Sequence, residues 1–472
     1  MKGLSANEPK PFFISRDDGA PRSAPALLLI SYHFPPDLAV GGLRWQQFAK
    51  FIVARGWGLD VIMRDPTTLT NRDDARLGQL PCGVRLFAVP DVKSRVIRAP
   101  QKIWTFARRK VRRQQASPRS AMLTASVRRE DITQQNIPTR LVRSYFGMLD
   151  HWEARRWARR AARIAGSVIR TQERRYQAVL TSGPPHMAHE AGRLVASREG
   201  LPLVADFRDP WSLVERVAGE KASPLWFALA ERGERRVVRE AAVVAMNTEP
   251  ATEAMRSRYP EARQRIITVW NGSDDEPLPA GERDNRFTIR FAGEIYIDRD
   301  PRLVFRAAGA VVERFRLTPR EFGLQFIGDV ARFDGMPLEE IAAREGLSGF
   351  VETGPFRPRA EAMKFLAAGT MLLSLPQDSD LAVPAKIFEY VRFNAWLLVL
   401  ARQGSATARL LHGSEGDVVD PGDLETLTRV IGERFEQYHR GERPRAIGRD
   451  GRFDRRIQAD ALLDRIEQVV AK

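Results

Sequence analysis

The sequence predicts an α/β protein made of two doubly wound, Rossmann-like halves. Three observations predict it. Short, continuously apolar runs recur along the chain, as strands buried on both faces of a parallel sheet require. Helical stretches alternate with these runs, which is the βαβ rhythm. The rhythm stops at a polar segment rich in Pro and Gly, residues 272–285 (GSDDEPLPAGERDN), and starts again beyond it.

Taken in order, residues 1–24 read as a Pro-containing disordered tail without the apolar core of a secretory leader. The first domain is expected over 25–272. Residues 26–31 form its first strand, followed by His33-Phe34-Pro35-Pro36, then Gly41, Gly42, Leu43, Arg44 and Trp45, with a helix over 46–54. Two glycines between strand and helix let backbone approach a ligand closely, a tight turn being the plainer alternative. Strands follow at 59–63 and 84–89. From Lys93 to Arg129 the chain carries twelve Lys and Arg residues and no acid before Arg129, with Ile103, Trp104 and Phe106 interleaved. A basic helix with Trp152 and Trp157 comes next. Residues 93–150 read as an insertion, and 93–175 as a surface feature outside the core, a solvated charged face being the plain alternative.

The rhythm resumes with strands at 177–181, 203–207, 242–246 and 266–270. The first ends in Ser182-Gly183-Pro184-Pro185-His186 and the second in Arg208-Asp209-Pro210-Trp211. Ligands of open parallel sheets bind beyond the carboxyl ends of strands, and His33, Gly41, Gly42, His186, Arg208 and Asp209 all fall there. An ion-pair cluster of Asp206, Arg208 and Asp209 that only orients a loop is the competing reading. After a linker at 273–286, the second domain (287–450) has strands at 287–292, 323–327, 371–375 and 396–400. Gly293 and Gly328 end the first two, and Arg299 lies in the loop after Gly293. Residues 451–472 close the chain as a helix.

Composition narrows the partners. A chain of 472 residues and 53.3 kDa needs two or three domains. No apolar run is long enough to cross a bilayer. The single cysteine, Cys82, excludes an internal disulfide and a cysteine-based metal cluster, and suits a reducing cytoplasm. A net charge of +16 and a pI near 10.4 favour an anionic partner: nucleic acid, anionic lipid or a phosphorylated substrate.

The segment Pro384-Ala385-Lys386-Ile387-Phe388-Glu389-Tyr390 is the strongest site candidate. It follows a strand and the polar loop Gln377-Asp378-Ser379-Asp380, and Pro384 suits the first helical position. A helix start is an anion site, Lys386 adds a point charge for phosphate, and Glu389 accepts from a pair of sugar hydroxyls. A surface ion pair between Lys386 and Glu389 is the alternative. Asp378-Ser379-Asp380 spells a metal-binding D-x-D by composition only. His186 and His189 have the spacing of zinc ligands, but no third ligand accompanies them.

Five motifs in order, SYHFPP with GGLRW, TSGPPH, DFRDPW, FAGEIYIDRDP and PAKIFEY, resemble the GT-B glycosyltransferases, specifically the retaining, nucleotide-sugar-dependent family-4 group. The resemblance spans roughly residues 27–411, the basic insertion apart. It implies two Rossmann-like domains facing a cleft, with the acceptor on the first and the donor on the second. It implies that Gly41 and Gly42 line the cleft near the donor phosphates or the acceptor, and that His186 lies near the donor sugar; Arg44, Arg208 and Asp209 are further expected substrate-binding residues. Arg299 and Lys386 would hold the diphosphate, and Glu389 the ribose; His186, Arg299 and Lys386 are the expected catalytic groups, and Gly293 and Pro384 are expected to bind substrate beside them. Two departures stand out: Leu381 occupies the place of the family's first glutamate, eight positions before Glu389, and Glu294 replaces a basic residue after Gly293. Either Asp378 or Asp380 is a candidate replacement for the missing glutamate.

The expectation is a glycosyltransferase that needs no metal or cofactor. It would move a sugar from a nucleoside diphosphate sugar to a lipid-linked or polysaccharide acceptor in cell-envelope or exopolysaccharide synthesis. It would be cytoplasmic and peripheral on the inner face of the plasma membrane, held by an anionic surface through residues 93–175. Two rivals are a basic nucleic-acid-binding protein and a nucleotide-sugar epimerase of the same fold; the first would bind nucleic acid with strong salt dependence and no need of Glu389.

Overall fold

A computed structural model of the chain describes residues 10–15, 24–69, 71–90, 126–171, 173–214, 216–274, 276–279, 281, 284–296, 299–376 and 379–471. Most of the basic insertion (91–125) and Asp378 lie outside these residues. The chain divides into two units: residues up to 108, 127–272 and 455–472 belong to the first, and residues 273–454 to the second.

The first unit is built on an eight-stranded sheet. Its strands are β1 (Phe13–Ile14), β2 (Pro25–Ser31), β3 (Gly58–Arg64), β4 (Val84–Val89), β6 (Arg175–Gly183), β7 (Leu203–Phe207), β9 (Val243–Met246) and β10 (Ile266–Thr268). A separate small pair joins β5 (Ser126–Arg128) and β8 (Arg216–Ala218). The sheet order is β1-β4-β3-β2-β6-β7-β9-β10, parallel except for β1, which runs antiparallel to β4. Starting from β2, the chain steps outward to β4, returns across β2, and steps outward again from β6. The switch point lies between β2 and β6.

The second unit repeats the plan with six parallel strands: β11 (Phe287–Glu294), β12 (Phe322–Asp329), β15 (Val351–Gly354), β16 (Met371–Ser374), β17 (Trp396–Leu400) and β18 (Asp417–Val419). The order β15-β12-β11-β16-β17-β18 puts its switch point between β11 and β16. A two-stranded hairpin, β13 (Arg332–Phe333) with β14 (Met336–Pro337), caps β12.

Continuously apolar strands give each sheet a dry core. Leu27, Leu29, Val61, Leu180 and Val243 are buried in the first unit, and Phe287, Ile289, Phe291, Leu324 and Leu398 in the second. Two elements differ from expectation. The helix Ile137–Arg170 is not merely a surface feature: Phe146, Leu149, Trp157, Ala161 and Ala165 are buried on it. Arg159 and Arg163 mark the outer face, and Trp157 with Ala158, Ala161 and Ala165 the inner one. The last helix, Arg455–Val470, returns to the first unit. Ala459, Leu462, Leu463 and Ile466 join that core, and Arg55 grips Asp460, Asp464 and Glu467.

Candidate functional site

In the second unit, two turns converge at the switch point. Gly293 and Gly328 are the next-to-last residues of β11 and β12, and the two glycines are register partners. Both have positive φ (147° and 124°), and a Cβ on Gly328 would stand 2.0 Å from the Gly293 carbonyl oxygen. Only glycine allows these strand ends to run so close. From β16 the chain turns through Val383 and Pro384 into the short helix Ala385–Tyr390. The Tyr390 hydroxyl accepts from Ala292 N (3.2 Å) and lies 3.3 Å from Ala292 O, which pins this helix to β11.

Pinning the helix fixes Lys386. Its Nζ lies 3.9 Å above the centroid of the Phe291 ring and 3.9 Å from where a Cβ on Gly293 would stand. The ammonium is buried and has no hydrogen-bond partner among the described residues. Burial first, then the charge of Arg299, pushes its pKa well below the ordinary lysine value. Arg299 stacks on Tyr296 (4.4 Å) and donates from Nη1 to Glu294 O (3.1 Å), while its Nε is buried without a partner among the described residues. Two cations thus sit within electrostatic reach of each other, neither ion-paired to a carboxylate among the described residues.

Two expectations change here. The helix opened by Pro384 is only six residues long, under two turns, so its dipole adds little and the positive field comes from side chains. Glu389 does not pair with Lys386; Arg359 holds it in a close ion pair, with Asp274 3.6 Å from the same guanidinium. Asp380 faces Arg402 (3.3 Å). Among the described residues no cluster of three His, Cys, Asp or Glu is placed to hold a metal.

In the first unit the residues at the β2–β6 switch point form two layers. The inner layer is structural. Arg44, expected to contact substrate, is buried and fully engaged: Nε and Nη2 bond Asp206 (3.1 and 3.2 Å), Nη1 bonds Trp270 O (2.6 Å) and Asn271 Oδ1 (3.3 Å), and Nη2 also bonds Val269 O (2.9 Å). A guanidinium has five N–H donors, and these five contacts use them. Trp45 Nε1 adds a bond to Asp206 (2.8 Å). Arg44 therefore ties helix Val40–Ala54 to β7 and to the segment after β10. That helix starts at Val40, so Gly41 and Gly42 lie in its first turn and not in a preceding loop.

The outer layer carries the polar chemistry. A Cβ on Gly41 would fall 2.4 Å from Arg208 Nη1, and one on Gly42 3.2 Å from Phe34 Cα. The glycines thus make room for Arg208 and for the backbone after β2. Arg208 donates to Ser182 Oγ (3.1 Å) and closely to Pro184 O. Burial lowers its pKa, against the pull of Asp206 and Asp209. Burial raises the pKa of Asp209, opposed by Arg208 and reinforced by Asp206. His186 stacks on Trp211 (5.1 Å) and His189 on Phe207 (4.2 Å). Thr181 Oγ1 lies 2.8 Å from His189 Nδ1, while His186 Nδ1 and His189 Nε2 have no partner among the described residues. Burial, then like charges, holds His186 well below the usual imidazole range and His189 at about 3.

Sequence reasoning placed His33 at a strand end but missed its partners, Asp37 (2.6 Å) and, through Asp37, Arg64 (3.5 Å to Asp37). Burial works to raise the Asp37 pKa, but His33 and the Ala39 N–H outweigh it and leave the carboxyl below its ordinary value. The i,i+4 spacing of His33 and Asp37 was legible; that Arg64, from the end of β3, joins them was not.

The chain matches no family model, and no curated protein matches it by sequence. Solved structures match it along nearly its whole length. A glycosyltransferase from Rickettsia africae aligns with TM-score 0.58 and 11% identity, covering 95% of this chain and 99% of that one. Sucrose-phosphate synthase from Thermosynechococcus elongatus gives 0.57 and 13%, covering 94% and 99%. HepE from Anabaena, solved in complex with UDP-glucose, gives 0.56 and 13%, covering 94% and 100%. The likeness shows the fold: the chain has the GT-B fold of two Rossmann-like domains.

Proposed function

We propose that this GT-B chain is a glycosyltransferase that takes its sugar from a nucleoside diphosphate sugar bound to the second unit. One observation carries the reading: Lys386, buried over Phe291 beside Arg299, with no counter-charge among the described residues. An ammonium desolvated in this way is unfavourable until an anion arrives. A diphosphate at the ends of β11 and β16 supplies that anion, and Gly293 leaves the space for it. The structural likeness to HepE, whose complex contains UDP-glucose, supports a nucleotide sugar as the ligand.

In this reading Lys386 and Arg299 bind the diphosphate and stabilise the charge that grows as it leaves. Glu389 exchanges Arg359 for the ribose hydroxyls. The first unit takes the acceptor, with His186, Arg208 and Asp209 as its polar groups. Retention of configuration, a lipid-linked or polysaccharide acceptor in cell-envelope synthesis, and a cytoplasmic place at the membrane complete the proposal. Retention rests on the five motifs, the cytoplasmic place on the single cysteine, and the membrane and its lipid-linked acceptor on the basic segment 93–175. The test is calorimetric titration with UDP, GDP and ADP. One of them is expected to bind in the micromolar range, and its affinity is expected to fall on Lys386→Met. If none binds, the donor reading fails.

A further inference from the structure

The long helix Ile137–Arg170 carries a surface that the donor chemistry does not use. Ile137, Leu141, Tyr145, Met148 and Trp152 recur at intervals of four, four, three and four residues, which puts them on one helix face. All five are between 41% and 71% exposed. The opposite face, with Phe146, Leu149 and Trp157, is the one that packs inward. An apolar stripe of this kind spans about 22 Å at 1.5 Å per residue. It is the largest run of exposed apolar side chains among the described residues.

The same face changes character one turn later. Arg155, Arg159 and Arg163 continue the stripe at the same spacing, and the Arg156 guanidinium lies 4.5 Å over the Trp152 ring. The helix holds just two acids, Asp150 and Glu153. Asp150 pairs with Lys221 (3.0 Å), and Glu153 is buried. The outer face therefore offers apolar and aromatic groups beside uncompensated positive charge. Nucleic acid would match the arginines but not Ile137, Leu141 and Met148. A lipid surface with anionic headgroups matches both halves.

We propose that this face docks the first unit on an anionic membrane surface. The helix lies in the interface plane, its Ile, Leu and Met side chains among the acyl chains. Tyr145 and Trp152 sit at headgroup depth, and Arg155, Arg156, Arg159 and Arg163 contact phosphate. The docking does not depend on the donor reading; a protein that binds no nucleotide would still dock.

The test is flotation of the full chain with vesicles of phosphatidylcholine containing one-third phosphatidylglycerol, and with pure phosphatidylcholine, at physiological salt. The parent is expected to float with the anionic vesicles. Leu141→Asp with Met148→Asp is expected to lower the partition coefficient at least tenfold on them. Arg155→Glu with Arg159→Glu is expected to lower it severalfold and to remove its dependence on phosphatidylglycerol. All these side chains are on the outer face, so melting temperatures are expected to stay within about a degree of the parent. The proposal is overturned if the parent ignores anionic vesicles or if the Leu141 and Met148 variant floats like the parent. It is also overturned if that variant converts a dimer to a monomer in solution, because the face is then an interface between copies.

Discussion

Replacing Lys386 with Met separates the two things this side chain does. Methionine keeps an unbranched apolar stem over Phe291 and removes the ammonium. In the ligand-free protein the ammonium is a burden: it is buried, it lacks a hydrogen-bond partner among the described residues, and Arg299 repels it. Its folded-state pKa lies below its unfolded value, so the unfolded chain binds the proton more tightly. Stability then rises with pH up to about 10.5, the ordinary lysine value, and the lysine costs most below that. Lys386→Met is therefore expected to raise the melting temperature at neutral pH, with the gain shrinking as pH approaches 10.5. In the nucleotide complex the sign reverses. A charge-assisted hydrogen bond contributes about 1.5–3 kcal/mol, so the variant is expected to bind the preferred nucleoside diphosphate about 10- to 150-fold more weakly. Calorimetry in two buffers of different ionisation enthalpy adds a third readout. The parent takes up protons on binding wherever its free lysine is partly neutral, and the variant does not. A variant that gains stability yet binds the nucleotide like the parent would refute the reasoning, since the lysine would then be a cost without a ligand.

Three further outcomes follow from the same geometry. Glu389→Gln is expected to weaken nucleoside diphosphate binding by about tenfold or more while leaving inorganic pyrophosphate unchanged, because only the ribose contact is lost. Arg359→Ala, by freeing Glu389 from an exposed ion pair worth about 0.2–1 kcal/mol, is expected to tighten nucleotide binding by up to about fivefold; calorimetry reads both. Arg44→Ala is expected to cost about 3–5 kcal/mol in urea unfolding of the first unit, since it leaves Asp206 buried without its partner, and to leave nucleotide affinity intact. His186 and His189 both have lowered pKa values, so the folded protein binds their protons less tightly than the unfolded chain. Stability is expected to fall from pH 6.5 downward, towards about 3 for His189, at about 1.4 kcal/mol per pH unit per imidazole; Asp209 titrates in the opposite sense. His189→Asn is expected to reduce that slope in melts recorded between pH 4 and 7.

Much of the fold was legible because buried parallel strands have a plain signature. β2, β16 and β17 are near-continuous apolar runs, and the glycines next to the last residues of β11 and β12 mark where the backbone must turn. The helix Ile137–Arg170 was harder, since its arginines dominate its composition while its inner face is read only from Trp157 and the small alanines. The return of the last helix to the first unit depends on contacts between residues about 400 apart, such as Arg55 with Asp460, and no local pattern encodes them. Site residues divide in the same way. Lys386 was legible from a strand, a polar loop and a proline. The structural role of Arg44 was not, because its partners Asp206, Val269 and Trp270 are brought to it only by sheet order.

The contrast between Arg44 and Lys386 also bears on what the positive charge means. A net charge of +16 suggests an anionic partner but does not locate one. Many of the arginines already have acids: Arg85 has Asp60, Arg434 has Asp417, and Arg44 has Asp206. Such pairs hold elements together and leave no field for a ligand. The informative cations are those that no acid among the described residues compensates. At the β11–β16 switch point these are Lys386 and Arg299, confined by Phe291, Tyr296 and two glycines, a site shaped for a compact polyanion. On the outer face of the long helix they are the half-buried Arg155 and the exposed Arg159 and Arg163, continuous with an apolar stripe, a surface suited to an extended anionic plane. Confinement and exposure thus separate the two partners we propose for the unpaired charge, a diphosphate in the second unit and a lipid surface at the first.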